Sequence, residues 1–494
     1  MTAMLELGAF LGAAGSGFTS DKWGRRKTLL LGVLWFNLGG VLQASSYHYA
    51  QLVFGRLIGG VGVGTLAAVA PVYISETAPP NIRGALLFME SWMVVIGVVV
   101  AYYISYGSKD IPNDWCFRIP FITQMAPAVF LGFCFAFLPY SPRWLIKAGR
   151  EQEAHQNLTR LRRLPNDHPL VLSELITMKS ANKVQRAAQC ERHPDLVDAT
   201  SVSKQLKLEI HSWVDCFRRR AIKRTHVAIG LGFFQQFLGI NALIYYGPSL
   251  FAALGMDLEM QLIMAGIMNL CQAIGGTPVL ILMDKIGRRP LVIFGSSVIT
   301  ACHAIIAGLI GAYGLSWSEH QGAAWFCVAL IFIFMCSFGA TWAPVPWAQP
   351  PELFPSTLRA KGTALATCSI WINNFIIGLI SPKLIDTMHG AGAFIFFAVF
   401  GLLSLTWVLL FVPETKGRTL EQIQSLFNDC AGEKARILED SCLQESIDEV
   451  RRSCGLDTKV IQSREYPPSE SDVEKEKKKI DNADGSVMTV TEHA

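Results

Sequence analysis

The chain has 494 residues, 51% of them apolar and only 17% charged, with a mean hydropathy of +0.34. Soluble domains carry roughly 25% charged residues and few long apolar runs, so the composition disfavours a soluble enzyme. With 43 Lys and Arg against 39 Asp and Glu, the net charge of +4 is too balanced to make nucleic acid the partner.

A bilayer core of about 30 Å requires about 20 mostly apolar residues per helix. Eleven runs of that kind are expected, at 1–18, 28–47, 52–73, 84–106, 118–138, 226–250, 260–283, 290–313, 323–347, 360–382 and 391–412. Small residues such as Gly55, Gly59, Gly60, Gly62 and Gly64 suit close packing between membrane helices. The expected fold class is therefore an all-α membrane protein, with five spans before a charged stretch and six after it. Its divisions are an N-terminal bundle (1–138), a helical linker (139–225), a C-terminal bundle (226–412) and a tail (413–494), largely disordered after about residue 430. The linker is rich in bases, among them Arg160, Arg162, Arg163, Arg218, Arg219, Arg220, Lys223 and Arg224.

Orientation follows from the placement of Lys and Arg. Basic residues sit in the loops after the first, third, seventh and ninth runs (Lys22 to Lys27; Arg83; Lys285, Arg288 and Arg289; Arg359 and Lys361), whereas loops 48–51, 251–259 and 314–322 carry none. The basic loops, linker and C-terminus are expected to face the cytoplasm. The cysteines, scattered singly from Cys116 to Cys454, offer neither a disulfide framework nor a metal-ligand cluster.

Three signals occur twice in the same order. Asp21-Lys-Trp-Gly-Arg25-Arg26 returns as Asp284-Lys-Ile-Gly-Arg288-Arg289; Glu76 and Arg83 return as Glu352 and Arg359; Pro139-Tyr-Ser-Pro-Arg143 returns as Pro413-Glu414-Thr-Lys-Gly-Arg418. The offsets are 263, 276 and 274 residues, so the two halves are homologous. A parallel pair of helical repeats with a midplane site is a transporter architecture. Carboxylates and guanidiniums at helix ends on one membrane face can latch neighbouring helices, and these residues are the expected gating pairs.

Taken with Gly55-Arg56, Pro71-Val-Tyr-Ile-Ser-Glu76, Ser141-Pro-Arg-Trp144, Gln235-Gln236-Phe-Leu-Gly239-Ile-Asn241, Pro346-Trp347, Pro351-Glu-Leu-Phe-Pro355 and Pro413-Glu-Thr-Lys-Gly-Arg-Thr419, the chain resembles the sugar porter family of the major facilitator superfamily over about residues 1–425. The resemblance implies twelve spans, alternating access and no covalent chemistry. It implies sugar contacts from Gln235, Gln236, Asn241, Gln272, Trp347 and Asn374, to which the aromatic residues Tyr245 and Trp371 are added. The residue chemistry agrees independently: amides give a neutral polyhydroxyl ligand both donors and acceptors, and aromatic rings cover its apolar faces. The expected partners are a small neutral sugar or polyol, the lipid bilayer and protons, with no cofactor and no metal, for a monomer in the plasma membrane.

Departures from the family pattern add expectations. Met1 falls where the family's second helix begins, so the helix before it is expected to be absent. In proton-coupled members that helix carries an aspartate that pairs with the arginine matching Arg56. Glu90 precedes Ser91, the position of a family glutamine, and is expected to face the cavity; Glu90, Glu6 and Arg56 are the candidates for proton coupling, because an ionisable group within a span is a functional candidate by default. Tyr140 replaces the acidic residue that its counterpart Glu414 retains. The alternative functions are a non-transporting sugar sensor on the same fold and a truncated, inactive transporter.

Overall fold

The computed structural model describes residues 3–79, 82–192, 202–219, 221–279, 285–314, 316–317, 319–354, 358–386, 391–416 and 440–448. The N-terminal half consists of α1 (Ala3–Trp23), α2 (Arg25–Ala44), α3 (Tyr49–Thr77), α4 (Arg83–Ser108), α5 (Trp115–Thr123) and α6 (Met125–Phe135). The linker contributes α7 (Pro142–Lys147), α8 (Glu151–Arg162), α9 (Pro169–Arg192) and α10 (Val202–Asp215). The C-terminal half runs through α11 (Ile222–Phe237), α12 (Ile240–Ala253), α13 (Leu258–Gly276), α14 (Arg288–Tyr313), α15 (Gln321–Ala340), α16 (Val345–Leu353), α17 (Arg359–Asp386) and α18 (Ala391–Phe411).

Among the described residues nine helices are long and apolar enough to cross a membrane, three before the linker and six after it. The count of five plus six is thus not borne out. The difference lies in α1, where Glu6 and a run of Gly and Ser lower the hydropathy, and in α4, of which only the stretch Trp92–Ser108 counts as an apolar helix among the described residues. Large apolar side chains remain exposed around the bundle, including Leu34, Phe54, Phe130, Phe133, Phe137 and Leu410. A water-soluble protein would bury such a belt; hydrocarbon accepts it.

Backbones approach closely where the sequence supplies glycine. A Cβ on Gly12 would stand 2.1 Å from the Val61 carbonyl oxygen and one on Gly64 1.9 Å from that of Ala9, so only hydrogen fits where α1 crosses α3. The C-terminal half holds the larger apolar core, centred on Phe251, Phe334, Met335, Trp342 and Val345. A separate cluster around Trp144, Leu145, Leu158, Val171 and Leu175 makes the linker a folded layer of its own.

The two halves meet along two helix pairs. In one, α1 runs antiparallel to α17: a Cβ on Gly378 would lie 3.2 Å from that of Ala3, and one on Gly17 3.6 Å from Lys361 Nζ at the opposite end. In the other, Tyr102 of α4 donates to the Leu262 carbonyl of α13 at 2.6 Å, and Trp92 Nε1 donates to Thr277 Oγ1 at 3.2 Å. Within the expected tail, residues 440–448 form a helix whose Leu443 and Ile447 rest on Leu172 and Ile176 of α9. The rest of the stretch expected to be disordered lies outside the described residues.

Candidate functional site

Polar residues from both halves converge at the centre of the bundle. Glu6 of α1, only 3% exposed, accepts hydrogen bonds from the Tyr245 hydroxyl of α12 at 2.7 Å and from Asn374 Nδ2 of α17 at 2.9 Å. Asn374 Nδ2 also lies 3.0 Å from the Tyr245 hydroxyl oxygen. Arg56 of α3 completes the group electrostatically: it attracts Glu6 without a direct ion pair among the described residues. Its guanidinium stands 5.7 Å from the centre of the Phe121 ring, and its Nε is buried without a hydrogen-bond partner. A buried carboxylate with a counter-charge and two neutral donors is satisfied by four helices at once.

One turn away on α12 a second set gathers at a break in the chain. α11 ends at Phe237 and α12 begins at Ile240, with Gly239 between them at φ +90°, a conformation that disfavours any side chain. Gln235 Nε2 donates to the Trp342 carbonyl at 2.9 Å and to that of Ala343 at 3.3 Å; both carbonyls lie in the gap between α15 and α16, where helical bonding is interrupted. Asn241 Nδ2 donates to Gln236 Oε1 at 2.5 Å, and Gln236 Nε2 points to Gln235 Oε1 at 3.4 Å. Trp342 is itself fixed by its Nε1 bond to Ser296 Oγ at 3.0 Å.

Gln272, 8% exposed on α13, makes no side-chain hydrogen bond among the described residues. Trp371 and Trp347 are half-buried, and Trp371 Nε1 is buried with no hydrogen-bond partner. Glu90 does not join this centre. It lines a separate cavity of about 350 Å³ with Ile74, Thr77, Leu86, Met89, Met93 and Leu161, between the end of α3 and the linker.

The repeated motifs form two matching networks on the face of the basic loops. In the first half Arg25 Nη2 pairs with Glu76 Oε1 at 3.0 Å, and the Ser141 hydroxyl donates to Glu76 Oε2 at 2.5 Å. In the second half Arg288 Nη2 pairs with Glu352 Oε1 at 2.9 Å, and the Thr415 hydroxyl donates to Glu352 Oε2 at 2.6 Å. Asp21 adds Arg25 at 3.3 Å and Lys147 of the linker at 2.9 Å, while Trp144 Nε1 donates to its carbonyl at 3.0 Å. The hydroxyls of Ser141 and Thr415 were not among the expected gating residues, although both follow the repeated proline by two positions.

The networks differ where Tyr140 stands opposite Glu414. The Glu414 carboxylate accepts from the backbone N–H of Arg288 at 3.2 Å and of Arg289 at 3.0 Å, capping α14. Tyr140 cannot do this for α2; instead the Arg26 guanidinium lies 5.1 Å over its ring and Trp144 stacks on it at 5.6 Å. Several expected gating residues make other contacts or face outward. The Arg143 side chain is exposed, Arg26 Nη2 donates to the Ala136 carbonyl at 2.5 Å, Arg289 Nη2 to that of Leu409 at 2.7 Å, and Arg359 Nε to that of Phe354 at 3.5 Å. Asp284, Arg418 and the side chain of Arg83 lie outside the described residues.

Sequence reasoning also missed Arg162, which pairs with Glu174 at 2.8 Å and donates to the Thr77 carbonyl at 2.9 Å and the Ala78 carbonyl at 3.2 Å. A cation on the last carbonyls of α3 ties linker to bundle. Its signal was a lone arginine in a basic stretch, indistinguishable from its neighbours.

A family model for sugar (and other) transporters matches residues 1–427. The chain belongs to that family. It is a multi-pass membrane transporter and not an enzyme. The family match opens at residue 1 and does not confirm the expected absence of a preceding helix. Among curated relatives of this transporter, the probable metabolite transport protein CsbC of Bacillus subtilis is 34% identical over 428 residues, covering 86% of this chain and 85% of that protein. High-affinity glucose transporter 1 of Candida albicans is 31% identical over 449 residues, covering 87% and 78%. Among solved structures, the proton:xylose symporter XylE of E. coli, bound to 6-bromo-6-deoxy-D-glucose, superposes with a TM-score of 0.67 at 25% identity, covering 86% of this chain and 88% of that one.

Proposed function

We propose that this transporter moves a monosaccharide or related polyol across the plasma membrane by alternating access, with inward movement coupled to protons. The carrying observation is the polar centre built from both halves: Glu6 and Arg56 from one, Tyr245 and Asn374 from the other, one turn from the Gln235–Gln236–Asn241 amides. A neutral sugar needs donors and acceptors without net charge, and it must touch both halves if its binding is to favour their closure. Gln235, Gln236, Asn241, Tyr245, Gln272 and Asn374 are the proposed hydroxyl partners, with Trp347 and Trp371 as ring-covering surfaces. The buried, unpartnered indole N–H of Trp371 supports this, since buried polar groups cost free energy until a ligand satisfies them.

Glu6 and Arg56 are the proposed proton-coupling pair, and the Arg25–Glu76 and Arg288–Glu352 networks the proposed gates. The linker and the C-terminus face the cytoplasm in this reading, and the transporter works as a monomer. Relatives named for glucose transport and for proton:xylose symport support the substrate class and the coupling.

The test is radiolabelled uptake of D-glucose, D-xylose and a polyol by cells expressing the chain, at two external pH values. Saturable uptake of at least one sugar, faster at acidic pH, is expected, and Glu6→Gln is expected to flatten the pH dependence. Surface-expressed protein that transports none of the panel at either pH overturns the reading and leaves a sensor on the same fold.

A further inference from the structure

The segment joining the linker to the second bundle sorts its charges by direction. Between residues 202 and 226 there are two acids, Glu209 and Asp215, and both turn inward. Glu209 pairs with Lys361 at the start of α17 and accepts from Trp213 Nε1 at 3.2 Å. Asp215 is 5% exposed and pairs with Arg218 at 3.0 Å. Among the described bases of the segment, Lys207, Arg218, Arg219 and Lys223 are exposed, whereas Arg224 is buried.

Apolar side chains share that outward face. Ile210 is 54% exposed, Val214 52%, Phe217 49% and Ile222 41%. Lys207, Ile210 and Val214 follow one another at intervals of three and four, one stripe of α10, and Arg218 lies in the turn after it. The level of this stripe relative to the bilayer is fixed from both ends. Ile222 opens the span Ile222–Ala252, and the Thr225 hydroxyl in that span's first turn donates to the Cys216 carbonyl at 2.6 Å. At the other end, the Glu209–Lys361 pair holds α10 against the start of the span Arg359–Asp386.

We propose that the outward face of α10 and the turn after it form a docking surface for anionic phospholipid headgroups of the cytoplasmic leaflet. Lys207, Arg219 and Lys223 meet the headgroup charges, while Ile210, Val214, Phe217 and Ile222 enter the boundary between headgroups and acyl chains. Charge and position together select this partner: a basic cluster next to a span, with apolar side chains interleaved, complements an anionic lipid surface. With all its acids directed away, the face carries no repulsive charge. Docking would hold the linker, and through Lys361 the start of α17, at a fixed depth. The inference rests on the cytoplasmic placement of the linker, and it is independent of which substrate the centre carries.

Hydrogen exchange on the full chain in nanodiscs tests it without a transport assay. In discs of phosphatidylcholine with phosphatidylserine, amides of residues 207–219 are expected to exchange about tenfold more slowly than in pure phosphatidylcholine, with α13 unchanged. The slowing should vanish in the Lys207→Gln/Arg219→Gln/Lys223→Gln variant, which leaves the Arg218–Asp215 and Lys361–Glu209 pairs intact. It should also vanish for the unaltered chain at high salt, a measurement that decides the matter if the variant fails to fold. Equal exchange in the two lipids, slowing that survives both treatments, or the same slowing produced by soluble O-phosphoserine in phosphatidylcholine discs overturns the proposal.

Discussion

Glu6 illustrates how much depends on one side chain. It is the acceptor for Tyr245 and Asn374 and the nearest counter-charge to Arg56, so its removal strands three polar groups inside the bundle. Glu6→Ala is expected to destabilise the protein by about 3 kcal/mol, the usual order for breaking a buried charge cluster, whereas Glu6→Gln keeps the shape and loses less. Thermal unfolding of the two variants in detergent measures the difference; equal losses would mean that Glu6 acts there by packing alone. Gln235 carries a comparable weight. Gln235→Leu leaves the Trp342 and Ala343 carbonyls without their side-chain donor at a helix break, an expected loss of about 1–3 kcal/mol together with sugar uptake.

At the scale of elements, the two networks on the face of the basic loops use the same three parts: an arginine at a helix start, a glutamate at the end of another helix, and a hydroxyl after a proline. Ser141→Ala and Thr415→Val each remove one neutral donor to a carboxylate, worth about 1 kcal/mol, or about a fivefold shift between gate-closed and gate-open populations. Accessibility of an introduced cysteine to a water-soluble maleimide reads that shift; no change in either variant would show that the arginines suffice. The caps respond unequally. Glu414→Tyr removes three backbone bonds, those of Arg288, Arg289 and Lys416, and is expected to cost about 2 kcal/mol. Tyr140→Glu gains a cap of about 1 kcal/mol while losing the cation–π contacts of Arg26 and Arg150 and a ring stack, together of similar size, so its stability is expected to stay within about 1 kcal/mol of the parent. Unfolding midpoints of both variants check the asymmetry.

For the whole molecule, the proposed alternating access predicts that the halves separate along α1 and α17. A Cβ on Gly378 would lie 3.2 Å from the Cβ of Ala3, close to disulfide range. Oxidising an Ala3→Cys/Gly378→Cys variant is expected to abolish uptake, and a reductant to restore it. Undiminished transport by the cross-linked protein would show that this seam does not open.

What the amino-acid order determined alone was periodic or repeated: apolar runs of membrane length, a basic loop face, the duplicated Asp-x-x-Gly-Arg-Arg and Glu motifs, and the amide series from Gln235 to Asn241. Those signals are local, because a helix of given length and a loop of given charge respond to bilayer thickness and charge without reference to the rest of the chain. Span count was the weak point even here, since Glu6 and the glycines of α1 dilute its hydropathy while serving its packing. Tertiary structure decided the partners. Glu6 meets Asn374 across 368 positions, Glu76 finds Ser141 rather than Arg143, and Glu90 turns toward α3 instead of the centre. No periodicity encodes such meetings: the crossing angles and close approaches of helices, set by where glycine removes a side chain, fix which polar groups share a buried site.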